Sequence, residues 1–305
     1  MKKPNLFIIG APKCGTTSLN EYLRSHPNIF MCNPKEPHFF SKDLNRYPSF
    51  RSIEEYLALF QKSTDEHIVV GESSVWYLFS SVAAEEIYRF NSSSKIIVIL
   101  RNPIDLIYSL HSYTYNNRED EPDFKKAFHL QGLRSQGHNL PKEIDEPLLL
   151  QYTKIGKLGD QVEKILRIFP LEKVKIILFD DFVSKTREVY EDVLSFLNVP
   201  SDCRINFPRF NKTNKSIIWL SKAKNKIPQP ALDAYYKIKE LLGLRKFNIS
   251  GSIRRLSPQF LINPPIDSIF REELLHVFRD DIEKLSKILG RDLDQWVIPP
   301  ITDKN

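Results

Sequence analysis

The sequence predicts an α/β fold with a mostly parallel central sheet flanked by helices, and three observations carry that prediction. Four short strand-like runs, Leu6–Ile9, Ile68–Val70, Lys95–Leu100 and Val174–Phe179, alternate with helical patterns at Ile53–Phe60, Val82–Phe90, Leu158–Phe169 and Arg187–Leu197. Three of the runs are almost continuously apolar, as strands covered on both faces of a parallel sheet are. The polar clusters beginning at Gly10, Gly71, Arg101 and Asp180 each follow a run directly, at the strand ends where open α/β sheets bind ligands.

The first strand leads into Gly10-Ala11-Pro12-Lys13-Cys14-Gly15-Thr16-Thr17-Ser18. Small residues there let backbone N–H groups converge, and the helix opened by Thr16, Thr17 and Ser18 offers free amides and a positive dipole end to an anion. Lys13 adds a full charge. A nucleotide triphosphate loop reads G-x-x-x-x-G-K-[ST]. Here Gly10 and Gly15 have that spacing, but Thr16 stands where the lysine belongs and the lysine has moved inside the loop.

The third strand ends at Arg101-Asn102-Pro103, and Pro103 suits the first position of a helix. Ser109 then lies nearly two turns along, so an arginine fork and a hydroxyl can grip one phosphate together. The alternative is an Arg101 that pairs with Asp105. Two stretches break the alternation: 116–147, polar around the amphipathic run Phe124–Leu133, and 216–265, with a helical pattern at Ala231–Leu242. Both read as excursions that form lids or acceptor walls. A last helix over Ser268–Leu289 is closed by Gly290 as its C′ residue. No Gly/Ser-rich linker interrupts the chain, which reads as a single domain over 1–305.

At 305 residues, 41% hydrophobic and 11% aromatic, the chain fills a sizeable core, and no apolar run approaches the length of a membrane span. Peripheral membrane contact stays open. Nucleic acid is not an expected partner, and oligomeric state is not readable. The N-terminus runs straight into the first strand, which argues against a removable leader. Cys14, Cys32 and Cys203 form neither a disulfide framework nor a zinc pattern, and they suit the cytoplasm. Between Lys212 and Arg255, eleven basic residues face only Asp233 and Glu240, a local charge of +9 in a chain of +6. Such an excess suits an anionic ligand or a solvated helix face.

The loop P-K-x-G-T-T followed by R-N-P-x-D-x-x-x-S resembles the sulfotransferases that use 3′-phosphoadenosine 5′-phosphosulfate (PAPS). Lys35-Glu36-Pro37-His38-Phe39-Phe40 is similar to the K-E-x-H-F-F segment of their bacterial and carbohydrate (heparan-type) branches, and Leu285–Trp296 is similar to the ending of many bacterial members. The resemblance implies a P-loop-like sulfotransferase fold and sulfuryl transfer from PAPS to a hydroxyl of a carbohydrate or small-metabolite acceptor. It implies that Lys13, Cys14, Gly15, Thr16, Thr17 and Ser18 hold the 5′-phosphosulfate and that Lys13 stabilises the leaving phosphate. Arg101 and Ser109 would hold the 3′-phosphate, with Lys212 and Lys215 as the later basic contact. Glu36 takes the position of the catalytic base, with His38 as second candidate and His111 as a structural residue.

Sulfuryl carries less negative charge than phosphoryl, so the reaction relies less on a metal clamp, and none is expected. One departure stands out. Where carbohydrate enzymes have E-K-[ST]-P-x-Y, this chain has Glu72-Ser73-Ser74-Val75-Trp76-Tyr77, so Ser73 replaces a lysine. Glu72, Ser73 and Trp76 are then candidates for an acceptor pocket, with Trp76 and Tyr77 as core packing the alternative. Two other readings compete: a P-loop kinase or NTPase, which requires a lysine after Gly15, and a non-catalytic nucleotide-binding member of the fold.

Overall fold

In the computed structural model, residues 2–45, 50, 52–115, 118–142, 144–208, 210 and 266–297 are described. At the centre stands β1 (Leu6–Gly10), every residue of it buried. It pairs in parallel with β3 (Val69–Ser73) on one side and β4 (Lys95–Leu100) on the other. The short β2 (Ile29–Met31) flanks β3, and β5 (Val174–Leu178) flanks β4, which gives the order β2-β3-β1-β4-β5. All these pairings are parallel, as the apolar runs predict. Because the chain builds outward from β1 in both directions, the loops after β1, β3 and β4 meet at one end, where an open sheet binds ligands.

Helices cover the sheet in two connected groups. Helix α1 (Thr16–Arg24) joins α8 (Phe179–Ser184) and α9 (Thr186–Leu197) through Tyr22, whose ring lies 6.1 Å from Phe182 and 6.3 Å from Tyr190. In the second group, α3 (Ala83–Phe90) packs on α7 (Leu158–Ile168), which packs on the long α10 (Ser268–Leu289). That helix also meets α4 (Pro103–Thr114) and the one-turn α6 (Tyr152–Gly156). Asp281 of α10 accepts from the amides of Gly159 and Asp160 at 2.8 and 2.9 Å, capping the start of α7. Beside these lie α2 (Ile53–Ala58) and α5 (Phe124–Ser135), the latter inside the 116–147 excursion. Arg134 of α5 makes a buried two-pronged bridge to Glu119, at 2.7 Å on both arms.

Several boundaries differ from the sequence expectation, each for a physical reason. β2 is too short to show a period. The second predicted strand begins at Val69, not at half-exposed Ile68, and continues through Gly71, Glu72 and Ser73, which the sequence places in the polar cluster after the run. Phe179 opens α8 instead of ending β5. Pro103 is the first residue of α4, and Gly290 closes α10 in the left-handed conformation, both as predicted. Among the described residues, no helix is long and apolar enough to cross a membrane. Cys14, Cys32 and Cys203 are free. The Ala231–Leu242 helix pattern and the rest of 216–265 lie outside the described residues.

Candidate active site

A cavity of about 520 Å³ opens over the ends of β1, β3 and β4. It is lined by Lys13, Gly15, Thr16, Thr17, Ser18, Glu36, Arg101 and Ser109, so residues scattered over a hundred positions of sequence meet there.

The loop after β1 is shaped by two glycines. Gly10 sits at φ 153°, and a Cβ there would come within 2.8 Å of Leu78 Cβ and 2.9 Å of the Val75 carbonyl. The turn after β3 therefore presses directly on the loop. Gly15, at φ 84°, caps α1 without any side-chain hydrogen bond, and a Cβ on it would crowd Phe179 and Phe182 at 3.2–3.3 Å. The first helical amide to find a backbone acceptor is Leu19, which donates to Gly15 O at 3.2 Å. The amides of Thr16, Thr17 and Ser18 precede it, at the cavity wall. Lys13 stands at φ 64°, a left-handed conformation costly for a residue with a side chain. Its ammonium lies 4.1 Å from the Tyr113 ring centre. Burial pushes the Lys13 pKa down, and the nearby Arg101 guanidinium adds to that. The Cys14 side chain turns away from the cavity: it is fully buried, its thiol contacts Pro12 O at 3.3 Å, and burial pushes its pKa up to about 12.

Arg101 follows β4 immediately. Its guanidinium lies over the Phe179 ring at 5.0 Å, while Asp105 pairs instead with Arg271 at 3.7 Å. The Asn102 side chain accepts from the Ile104 amide at 3.0 Å and so caps α4, and it donates to Trp296 O at 3.0 Å. This fixes the helix that carries Ser109 and, one turn on, Tyr113. The C-terminal stretch is thereby tied to the back of the site: Trp296 Nε1 also donates to Asp180 at 3.4 Å, and Arg291 grips Asp181.

Across the cavity, Glu36 stands at φ 66° and His38 at φ 53°. Lys35 Nζ is 2.6 Å from Glu36 Oε1, and His38 Nε2 is 3.6 Å from Glu36 Oε2. Burial works to raise the Glu36 carboxyl, but the neighbouring His38 ring and the Lys35 ammonium outweigh it and hold its pKa at about 2. The Glu36 side chain is 37% exposed, whereas His38 is fully buried behind it and does not line the cavity.

Glu72 and Ser73 do not reach the cavity either; both are 0% exposed within β3, which corrects their assignment to an acceptor pocket. Trp76 does line it, while Tyr77 belongs to the core. His111 is buried, with Nε2 2.9 Å from Glu121 O, and is structural as expected. Lys212 and Lys215 lie outside the described residues. The sequence reading missed Tyr22, Tyr113, Arg118, Phe179 and Phe182 as lining residues. Tyr113 was within reach, since it sits four residues after Ser109 and so shares its helix face.

The family model for the sulfotransferase domain matches residues 3–227. Heparan sulfate glucosamine 3-O-sulfotransferase 5 of Mus musculus is 24% identical over 291 residues, covering 95% of this chain and 73% of that protein. Carbohydrate sulfotransferase 15 of Mus musculus is 27% identical over 252 residues, covering 64% of this chain and 44% of that protein. The chain thus spans less than half the length of the latter relative. Among solved structures, a sulfotransferase from Alicyclobacillus acidocaldarius superposes with a TM-score of 0.70 at 26% identity, covering 97% of this chain and 99% of the other. With a family model covering most of its length and a bacterial sulfotransferase matching it from end to end, the chain belongs to the sulfotransferase family.

Proposed function

We propose that this sulfotransferase moves a sulfuryl group from PAPS to a hydroxyl of a carbohydrate or small-metabolite acceptor, with Glu36 as base and Lys13 stabilising the leaving phosphate. The observation that carries the reading is the single cavity with two separate anion grips, Lys13 with the start of α1 and Arg101 with Ser109. PAPS carries its activated sulfuryl group at one of its two anionic ends, the 5′-phosphosulfate, with the 3′-phosphate at the other, and the residues present fit such a molecule. The uncapped α1 amides and Lys13 suit its 5′-phosphosulfate, and Arg101 with Ser109 suits its 3′-phosphate. The kinase or NTPase alternative lacks its lysine after Gly15.

Each residue then has a task. Lys13 and the α1 amides meet the charge that develops on the leaving oxygen, where preorganised donors act most strongly. Glu36 receives the acceptor proton. A carboxylate of pKa about 2 is ionised at every working pH but is a weak base. It takes the proton favourably only once the hydroxyl oxygen has begun to bond to sulfur and turned acidic. Trp76 and Tyr113 give the cavity ring surface suited to an acceptor. The names of the two mouse relatives favour a carbohydrate hydroxyl. A cytoplasmic setting is part of the proposal, supported by three free thiols.

Calorimetric titration tests the two-grip reading. The protein is expected to bind 3′,5′-ADP at least about tenfold more tightly than 5′-ADP, the scale of one charge-assisted contact. Equal affinities would remove Arg101 and Ser109 from the donor site.

A further inference from the structure

One buried carboxyl has no task in that chemistry. Glu72 lies in β3 opposite Phe7 of β1 and is 0% exposed. Its Oε1 accepts from Tyr56 Oη at 2.8 Å and Tyr77 Oη at 2.9 Å, and its Oε2 accepts from Ser74 Oγ at 2.6 Å. The network continues on the far side of two of these hydroxyls. Ser74 Oγ accepts from the His38 amide at 3.0 Å, and Tyr77 Oη accepts from the Phe40 amide at 3.3 Å. Next to them the Glu36 amide donates to Ser73 O at 3.1 Å. The segment that carries Glu36 is therefore held to the end of β3 at three successive points.

We infer that Glu72 is a positioning residue for Glu36, acting as a buried clamp that fixes the Glu36–Phe40 turn through the hydroxyls of Ser74 and Tyr77. A hydroxyl has a single proton and two lone pairs. Once Glu72 is ionised, above about pH 7, Ser74 and Tyr77 both give that proton to it, and each presents only lone pairs to the turn, where the backbone offers only N–H. A neutral amide in the place of Glu72 breaks this polarity, since in either orientation its NH2 faces at least one hydroxyl proton. The turn needs such holding: Glu36 and His38 both stand in the left-handed region, where residues with side chains are disfavoured. Glu72 is followed by Ser73, which holds the Glu36 amide through its carbonyl and brings no cation to the cavity.

The inference rests on the reading of Glu36 as base, and the test separates the two. In E72Q, assayed above pH 7 where wild-type Glu72 is ionised, kcat is expected to fall on the order of 100-fold, the penalty for displacing a catalytic group by about an ångström. The affinity for 3′,5′-ADP should stay within about twofold, since the donor grips lie on other elements. Hydrogen exchange on the free protein should show the His38 and Phe40 amides losing protection together. Ser74→Ala is the gentler variant. It should expose the His38 amide, leave that of Phe40 protected through Tyr77, and lower kcat less than E72Q does. Folded variants with wild-type kcat, or with both amides as protected as before, would overturn the clamp. The exchange readout needs neither donor nor acceptor. If Glu36→Gln keeps full turnover while E72Q still frees both amides, the base is lost and the clamp stands.

Discussion

The two walls of the cavity are built on opposite principles. On the donor side the cations face rings: Lys13 lies 4.1 Å from the Tyr113 centroid and Arg101 5.0 Å from that of Phe179. A ring face stabilises a cation without neutralising it, so the charge stays available to an anion. On the base side the charges are matched at short range. Lys35 and His38 flank Glu36, and three hydroxyls surround Glu72. One wall is prepared to receive a charged molecule, and the other is prepared to keep one carboxylate in place. The consequence is a division between binding and turnover that single substitutions can expose.

The largest effect is expected on the base side. Glu36→Gln keeps the shape and removes the proton acceptor, so kcat should fall about 10²–10⁴-fold, the usual contribution of a positioned base. Donor affinity should change little, because Glu36 belongs to the opposite wall. Full turnover measured by product mass spectrometry would move the base elsewhere. Lys13→Ala should come second, lowering kcat about 10²–10³-fold, the scale of losing one donor to a developing oxyanion. If the donor Kd rises by the same factor, Lys13 binds ground state and transition state alike, and the contrast between the walls weakens.

The same contrast explains how much of the site was legible in the sequence. The donor wall is made of local structure. An apolar strand, a glycine-bounded loop and an uncapped helix start are contiguous in residues 6–24, and Arg101 with Ser109 needs only a strand end and a Pro-started helix. Each of these reads directly from residue pattern. The base wall is made of long-range hydrogen bonds: His38 to Ser74 and Phe40 to Tyr77 each span more than thirty residues. Nothing in the spacing of Glu36 and Glu72 announces that one holds the other. A signal existed nonetheless. A carboxyl inside Val69-Val70-Gly71-Glu72-Ser73 is costly in a buried strand unless partnered, and the hydroxyls that partner it follow at Ser74 and Tyr77. Placing the cluster beyond the strand end hid that cost. The edge strand Ile29–Met31 and the one-turn helix Tyr152–Gly156 escaped because they are shorter than the periods that reveal such elements.

The smallest expected effect is thermodynamic and tests whether the two base-side carboxyls are as unlike as their surroundings make them. Burial raises Glu72 from 4.5 to about 7, against the pull of the Ser74, Tyr56 and Tyr77 hydroxyls and of Lys35, the cation on the neighbouring segment; the Cys32 thiol on the β2 side stays neutral, its pKa also raised by burial. Glu36 moves the other way, to about 2. Stability rises with pH wherever the unfolded chain binds more protons, and falls where the folded chain does. Glu36 therefore adds stability as pH climbs from about 2 to 4.5, and keeps it above that. Glu72 holds its proton longer in the folded protein, so its contribution declines from pH 4.5 to about 7. The melting temperature, corrected for other groups by the variant comparison, should fall across that upper window in the wild type. In E72Q, which has no proton to lose there, the fall should flatten. An unchanged slope between pH 4.5 and 7 would mean that Glu72 titrates like an ordinary carboxyl, and that the hydroxyls around it offset its burial fully and not in part.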